Sequence, residues 1–156
     1  MKNPALPLQF PPIDGYSYST VSLYTITKKI QAGLLTRATA KNSFIVNDID
    51  RSVFVAAEEK TLAYIIGNLL SNAVYRTSGC CIRVETRCIA GQHQVRIRNN
   101  GAFAFSSYMN SLVHFVEVAR KSGGNIALET EDNHGITVVY SLAKRAASNL
   151  QPYAAL

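Results

Sequence analysis

Apolar residues recur at steps of three and four in three stretches of the chain. In residues 58–75 they form one continuous stripe, made of Leu62, Ile65, Ile66, Leu69, Leu70 and Ala73. This spacing is that of an amphipathic helix, and it also predicts a helix over residues 19–40. A third helix is predicted to open at Ser106 or Ser107 and to stop at the glycines that begin with Gly123.

Alternating apolar and polar residues predict six strands between these helices. The strands cover residues 43–48, 52–55, 81–88, 94–99, 126–131 and 136–142. The first two are joined by a turn at Asp50 and Arg51, and the last four form two hairpins with loops over residues 89–93 and 132–135. This order of elements predicts an α+β fold, a two-layer α/β sandwich with helices on one face of a mixed sheet.

Composition places the chain among ordinary globular domains. It has 156 residues, of which 47% are hydrophobic and 17% charged, so disordered and fibrous classes are excluded. Prolines concentrate in residues 1–15, which we interpret as an arm or linker, followed by one domain over residues 16–143 and a helical tail over residues 144–156. No apolar run is long enough to span a membrane, and we expect a cytoplasmic protein.

A net charge of +6 raises the possibility of an anionic partner such as nucleic acid. Arg83 and Arg87 alternate with apolar residues in one predicted strand, and Arg96 and Arg98 do so in the next. This pattern favours a solvated sheet face, because no aromatic residues interleave with the arginines as a stacking surface for bases requires. Nucleic-acid binding therefore has only the charge in its favour.

The cysteines and histidines offer no recognisable site. The three cysteines are odd in number and do not have a zinc spacing, so we interpret them as reduced, packing thiols; they are Cys80, Cys81 and Cys88. His93 and His134 fall in predicted hairpin loops, and His114 lies in a helix between apolar neighbours. We expect each histidine to be a loop or packing residue.

Two asparagines are the first candidates for chemistry. Asn68 and Asn72 are four residues apart on the strongest predicted helix, so both lie on one strip at the edge of its apolar stripe. Amides in this position either hold a neighbouring loop by hydrogen bonds or coordinate a hard cation together with phosphate oxygens. The residues alone favour the first interpretation.

The context of these asparagines resembles a known family. Residues 62–77, with the motif NLLSNA at their centre, resemble the N-box of the ATP-binding domain of sensor histidine kinases in the GHKL superfamily. Residues 95–101 look like the strand that enters the family's DxGxG box, and residues 122–138 look like its final glycine-containing hairpin. The resemblance covers about residues 20–142 and implies the Bergerat fold, which agrees with the element order above.

The resemblance also implies roles for particular residues. Asn72 would coordinate the magnesium ion that bridges the ATP phosphates, and Asn68 stands where hydrolysing relatives carry a glutamate base, so the kinase branch fits better. Arg76 stands near the place of a phosphate-contacting basic residue, or points to solvent. Asn99 would accept the adenine amino proton in place of an aspartate, with Gly101 beside it.

Other positions depart from the family pattern. Phe103 stands where the DxGxG box has its last glycine, and we expect its ring to crowd or fill the pocket. The second glycine box is missing, because its positions fall on Ser107, Met109 and Ser111. Only residues 104–110 connect the first box to the third helix, so the mobile lid of active relatives is absent.

These observations leave two main hypotheses. The first is a degenerate histidine-kinase-like domain that has lost or weakened ATP binding and acts as an interaction module in two-component signalling, with a response regulator or a kinase as partner. It needs no cofactor and has no catalytic residue, which makes it a pseudokinase. The alternative is a nucleotide-competent catalytic domain that binds Mg-ATP and phosphorylates a histidine supplied elsewhere. Both hypotheses are compatible with a homodimer and with a chain that is part of a larger sensor kinase.

Overall fold

The computed structural model of the protein describes residues 19–101, 105–130 and 135–143. In these residues the helices are α1 (Leu23–Ala40), α2 (Glu59–Arg76) and α3 (Phe105–Lys121). The strands are β1 (Ser19–Ser22), β2 (Phe44–Asn47), β3 (Phe54–Ala57), β4 (Cys81–Ile89), β5 (Gln92–Asn99), β6 (Asn125–Thr130) and β7 (Ile136–Ser141). The predicted arm and tail lie outside the described residues, as do residues 102–104 before α3.

A five-stranded sheet organises the fold, with the strand order β2-β4-β5-β7-β6. The β2–β4 pair is parallel and the other pairs are antiparallel, which confirms the predicted mixed sheet. Helix α2 lies in the connection between β2 and β4, as a parallel pair requires. Side chains of α2 and of the inner sheet face meet in the core with no exposed surface, among them Ile65, Leu69, Ile82, Val84, Ile97 and Val138.

The start of the domain differs from the prediction. Residues 19–22 were expected to belong to the first helix, but they form β1, which pairs with β3 in a separate two-stranded sheet. The Ser22 hydroxyl accepts a 3.1 Å hydrogen bond from the Thr25 backbone amide, and this N-cap makes the helix begin at Leu23. The two short strands β2 and β3 therefore pair with different partners and not with each other.

The turn between β4 and β5 is tighter than predicted. It consists of Ala90 and Gly91, both with positive φ, so the two strands extend into the predicted five-residue loop. His93 consequently lies within β5, opposite Cys88, and not in a loop. Partial burial lowers the pKa of its imidazole.

The arginine-bearing face of the sheet is only partly solvated. Arg98 is exposed as expected, but Arg96 is 7% exposed, which corrects the prediction for that residue. The Arg96 guanidinium forms a 2.6 Å ion pair with Glu129 across the sheet and lies 3.9 Å from Glu85. Burial of this charge is possible because carboxylates surround it.

Candidate functional site

The polar strip of α2 is formed by Asn68, Asn72 and Arg76, which follow one another at steps of four residues. The two asparagines are half-buried and Arg76 is exposed, so the strip lies at the edge of the core, as the helical spacing predicts. The amide nitrogen of Asn68 donates a 2.6 Å hydrogen bond to the Tyr64 carbonyl on its own helix. Asn68 thus makes a local contact within α2.

Asn72 is engaged at both ends of its side-chain amide. Its nitrogen donates a 2.7 Å hydrogen bond to the Ser111 hydroxyl of α3, and its oxygen accepts a 3.3 Å hydrogen bond from Arg76 Nε. The Ser111 hydroxyl in turn donates to the Tyr108 carbonyl at 2.6 Å. The amide of Asn72 therefore joins α2 to α3.

Arg76 makes a second link between the same two helices. Its Nη1 donates a 3.0 Å hydrogen bond to the Ser107 hydroxyl in the first turn of α3. Ser107 and Ser111 are one helical turn apart, and both occupy positions where the second glycine box of the kinases was expected. Two of the three residues of the polar strip, Asn72 and Arg76, thus hydrogen-bond to serine hydroxyls of α3.

Asn99, at the end of β5, is completely buried. Its side-chain oxygen accepts a 3.3 Å hydrogen bond from the Gly101 backbone amide. Tyr108 of α3 is 1% exposed, and its hydroxyl lies near the Asn99 side chain. Burial raises the pKa of Tyr108 to about 12, and the nearby Cys80 adds to this, while the neighbouring Asn99 side chain and the charge of Arg76 act in the opposite direction.

Two glycines let the backbone close tightly around Asn99. A Cβ atom on Gly135 would lie 2.0 Å from the Asn99 carbonyl oxygen, and the φ of Gly135 is +115°. A Cβ atom on Gly101 would lie 2.8 Å from Cys80 Cβ. At Gly135 only glycine tolerates both the positive φ and the close approach to the Asn99 carbonyl. The glycines of the matched motifs therefore have a structural role in holding the end of β5.

The structure places an aromatic residue, Tyr108, near Asn99 that the sequence analysis did not name. Phe103, which was predicted to fill the pocket, lies outside the described residues, so that expectation stays a prediction. Sequence reasoning missed Tyr108 as a site residue. A signal for it existed, because Tyr108 continues the buried face of α3 at steps of three and four with Leu112, Phe115 and Ala119.

His114 also differs from its predicted packing role. It is exposed on α3, where its Nε2 lies 3.3 Å from the Tyr64 hydroxyl of α2 and its ring meets Phe115 edge-on at 5.3 Å. It is therefore another contact between α2 and α3. His134 lies outside the described residues.

The residues that the family resemblance assigns to a magnesium nucleotide have partners within the chain. The oxygen of Asn72 faces the Arg76 guanidinium, which would repel a cation, and Asn99 is completely buried. Within residues 19–101, 105–130 and 135–143, no group of three His, Cys, Asp or Glu side chains is arranged to hold a metal. A groove of about 240 Å³ lies elsewhere, between α3 and β6, and none of the polar-strip residues lines it.

Comparisons with known proteins identify the fold. A scan against protein-family models finds no match, and neither does a search of curated proteins. Among solved structures, the chain is similar to histidine kinase AdeS of Acinetobacter baumannii, with 10% identity over 83% of this chain and 68% of that chain, and a TM-score of 0.72. A nucleotide-free catalytic domain of histidine kinase ThkA matches with 15% identity, 81% and 95% coverage, and a TM-score of 0.66.

A further match is a structure of ThkA in complex with the response regulator protein TrrA, with 14% identity, 81% and 42% coverage, and a TM-score of 0.67. At these identities the likeness concerns the fold. The chain has the fold of histidine kinase catalytic domains, so the resemblance drawn from the NLLSNA motif is confirmed at that level. None of the helices in the described part of the chain has the length and apolarity needed to cross a bilayer.

Proposed function

We propose that this chain is a histidine-kinase-like domain whose nucleotide pocket is closed by its own helix α3, and that it acts in two-component signalling by docking another signalling protein. In this proposal the chain has no catalytic residue and takes no cofactor. The partner is a response regulator or a kinase in the cytoplasm.

One observation carries the proposal. Tyr108 is buried against Asn99, the residue that would have to accept the adenine amino group. A nucleotide could enter only if the first turns of α3 moved away, which would break the contacts of Ser107 with Arg76 and of Ser111 with Asn72. It would also expose the tyrosine ring, so the closed arrangement is supported by both packing and hydrogen bonds.

The docking part of the proposal is supported by the fold. ThkA, which shares this fold, has been solved in complex with the response regulator protein TrrA. A domain that keeps the fold while its nucleotide pocket is filled by its own side chains still offers its outer surfaces to a partner. The signalling role is thus proposed by analogy with proteins of the same fold, and the loss of ATP binding is proposed from the closed pocket.

A second candidate function is a nucleotide-competent kinase domain. It is favoured by the retained strip of Asn68, Asn72 and Arg76 on one side of α2. In this alternative α3 would swing away, Arg76 would turn from Ser107 to the phosphates, and the freed Asn72 oxygen would bind magnesium.

Titration with a fluorescent ATP analogue, with and without magnesium, separates the two candidates. The catalytic domain of ThkA serves as the positive control for the assay. The proposal predicts no saturable, magnesium-dependent signal for this chain. Saturable binding that Asn72→Ala abolishes, while Asn125→Ala on an exposed strand end leaves it intact, would establish the kinase candidate instead.

A further inference from the structure

The C-terminal ends of α1 and α2 meet at a cluster of positive charge that the nucleotide site does not explain. The cluster consists of Arg37, Lys41 and Arg76, gathered around Tyr75, and we call it the basic pole. The Arg37 guanidinium lies 5.0 Å from the centre of the Tyr75 ring, and Lys41 Nζ donates a hydrogen bond to the Tyr75 carbonyl. Arg76 is the next residue along α2.

Carboxylates do not balance this cluster. Helix α1 contains no acidic residue, and no ion pair joins the basic pole to any Asp or Glu of residues 19–101, 105–130 and 135–143. Four other arginines have carboxylates beside them, namely Arg83, Arg87, Arg96 and Arg120. The basic pole is therefore a group of neighbouring cations without an ion-paired carboxylate among the described residues.

Helix-dipole stabilisation accounts for only part of the cluster. Lys41 contacts a C-terminal carbonyl of α2, as a cation at a helix end commonly does. Arg37 instead covers the Tyr75 ring, and Arg76 turns back toward Asn72 and Ser107. Arg37 and Lys41, both held against Tyr75, repel each other, so their arrangement is relieved when an anionic group binds.

Exposed aromatic side chains accompany the cations. Tyr75 is 48% exposed, and Phe44, which begins β2 three residues after Lys41, is 60% exposed. The backbone amide of Gly79 donates a hydrogen bond to the Lys41 carbonyl, and this bond joins the loop after α2 to the turn between α1 and β2. Arginine and tyrosine together are the residue types most enriched at the centres of protein interfaces.

We propose that the basic pole is a docking surface for a protein partner with an acidic, carboxylate-bearing surface. Charge complementarity identifies the partner's chemistry. A nucleic acid fits less well, because the Arg37 guanidinium already covers one face of Tyr75 and the cations form a compact group and not a stripe along which a phosphate backbone can run. The inference rests on the proposed docking function and names the surface that serves it.

Fluorescence anisotropy of a labelled oligoglutamate peptide at low ionic strength tests this surface with the full chain. The double variant Arg37→Gln/Lys41→Gln is compared with Arg87→Gln/Lys121→Gln, which removes the same charge from exposed positions elsewhere. We expect the first variant to weaken binding about tenfold or more and the second by less than about twofold. Equal weakening in both would mean a diffuse charge effect and would overturn the inference.

Two further arms complete the test. A labelled oligonucleotide or phosphatidylglycerol vesicles that bind more tightly than the peptide would overturn the choice of partner. Amide chemical shifts of the wild-type chain give a readout that needs no variant, and the peptide is expected to shift Arg37, Lys41 and Tyr75 first. The ATP-analogue titration is run in parallel. If the chain binds both the nucleotide and the peptide, only the closed pocket is refuted. If it binds neither, only the basic pole is refuted.

Discussion

The side-chain amide of Asn72 on α2 donates a 2.7 Å hydrogen bond to the hydroxyl of Ser111 on α3. Asn72 is the residue that the family resemblance would assign to magnesium, and Ser111 occupies a position of the missing second glycine box. In this chain the two side chains bind each other. The residue that the family resemblance assigns to magnesium is thus part of a contact between helices in this structure.

This contact predicts measurable coupling between the two residues. Asn72→Ala and Ser111→Ala should each destabilise the protein, and the double variant should be less destabilised than the sum by about 0.5–1.5 kcal/mol. The measurement is urea unfolding of the wild type, the two single variants and the double variant. Additive losses would show that the hydrogen bond contributes nothing.

Tyr108 should be a major contributor to stability. Because its ring is 1% exposed, Tyr108→Ala should lower the free energy of unfolding by about 3–5 kcal/mol through lost burial and a cavity. Tyr108→Phe keeps the ring and removes only the hydroxyl near Asn99, so the loss should be about 1 kcal/mol. Chemical denaturation measures the free energy of unfolding of both variants. If Tyr108→Ala lost as little stability as Tyr108→Phe, the tyrosine ring would not fill the space near Asn99.

The same residue predicts instability at alkaline pH. The pKa of Tyr108 is about 12 in the folded protein and near the ordinary value of 10 in the unfolded chain. The unfolded state therefore loses its proton first, and stability that is full below pH 10 should fall by roughly 3 kcal/mol as the pH rises to about 12.

Urea midpoints measured from pH 8 to pH 12 test this loss, with the tyrosinate absorbance followed in parallel. Tyr108→Phe should have a shallower decline. Some decline should persist in that variant, because burial also raises the pKa of Tyr140. If the urea midpoint of Tyr108→Phe declined with pH as steeply as that of the wild type, Tyr108 would not be the source of the alkaline instability.

A matched pair of glycine substitutions tests the backbone around Asn99. Gly135→Ala should destabilise by at least about 3 kcal/mol, since its Cβ would collide with the Asn99 carbonyl and its φ is positive. Gly33→Ala, in α1 with open space around the new Cβ, should stabilise by about 0.5–1 kcal/mol. Thermal and urea unfolding give both values, and a tolerated Gly135→Ala would refute the close approach.

Local periodicity explains what the sequence could predict. The steps of three and four in α2 place Asn68 and Asn72 together at the core's edge, and the alternation in β4 and β5 defines their pairing. The motif match identified the fold, which the solved structures confirm.

Contacts between distant elements explain what was missed. Nothing in the local pattern states that Tyr108 packs on Asn99, that Ser111 reaches Asn72, or that Arg96 is buried between carboxylates. These arrangements depend on how α3 and the strands pack together. The strand β1 was missed for a related reason, because its four residues are too few to show a period and are fixed by pairing with β3.

The most direct test of the closed pocket is a crystal structure grown with magnesium and a saturating non-hydrolysable ATP analogue. The account predicts that Tyr108 lies against Asn99, that Ser111 binds Asn72, and that no nucleotide density appears between α2 and the end of β5. A nucleotide in that position, with the tyrosine ring displaced and a metal ion on the Asn72 oxygen, would contradict it.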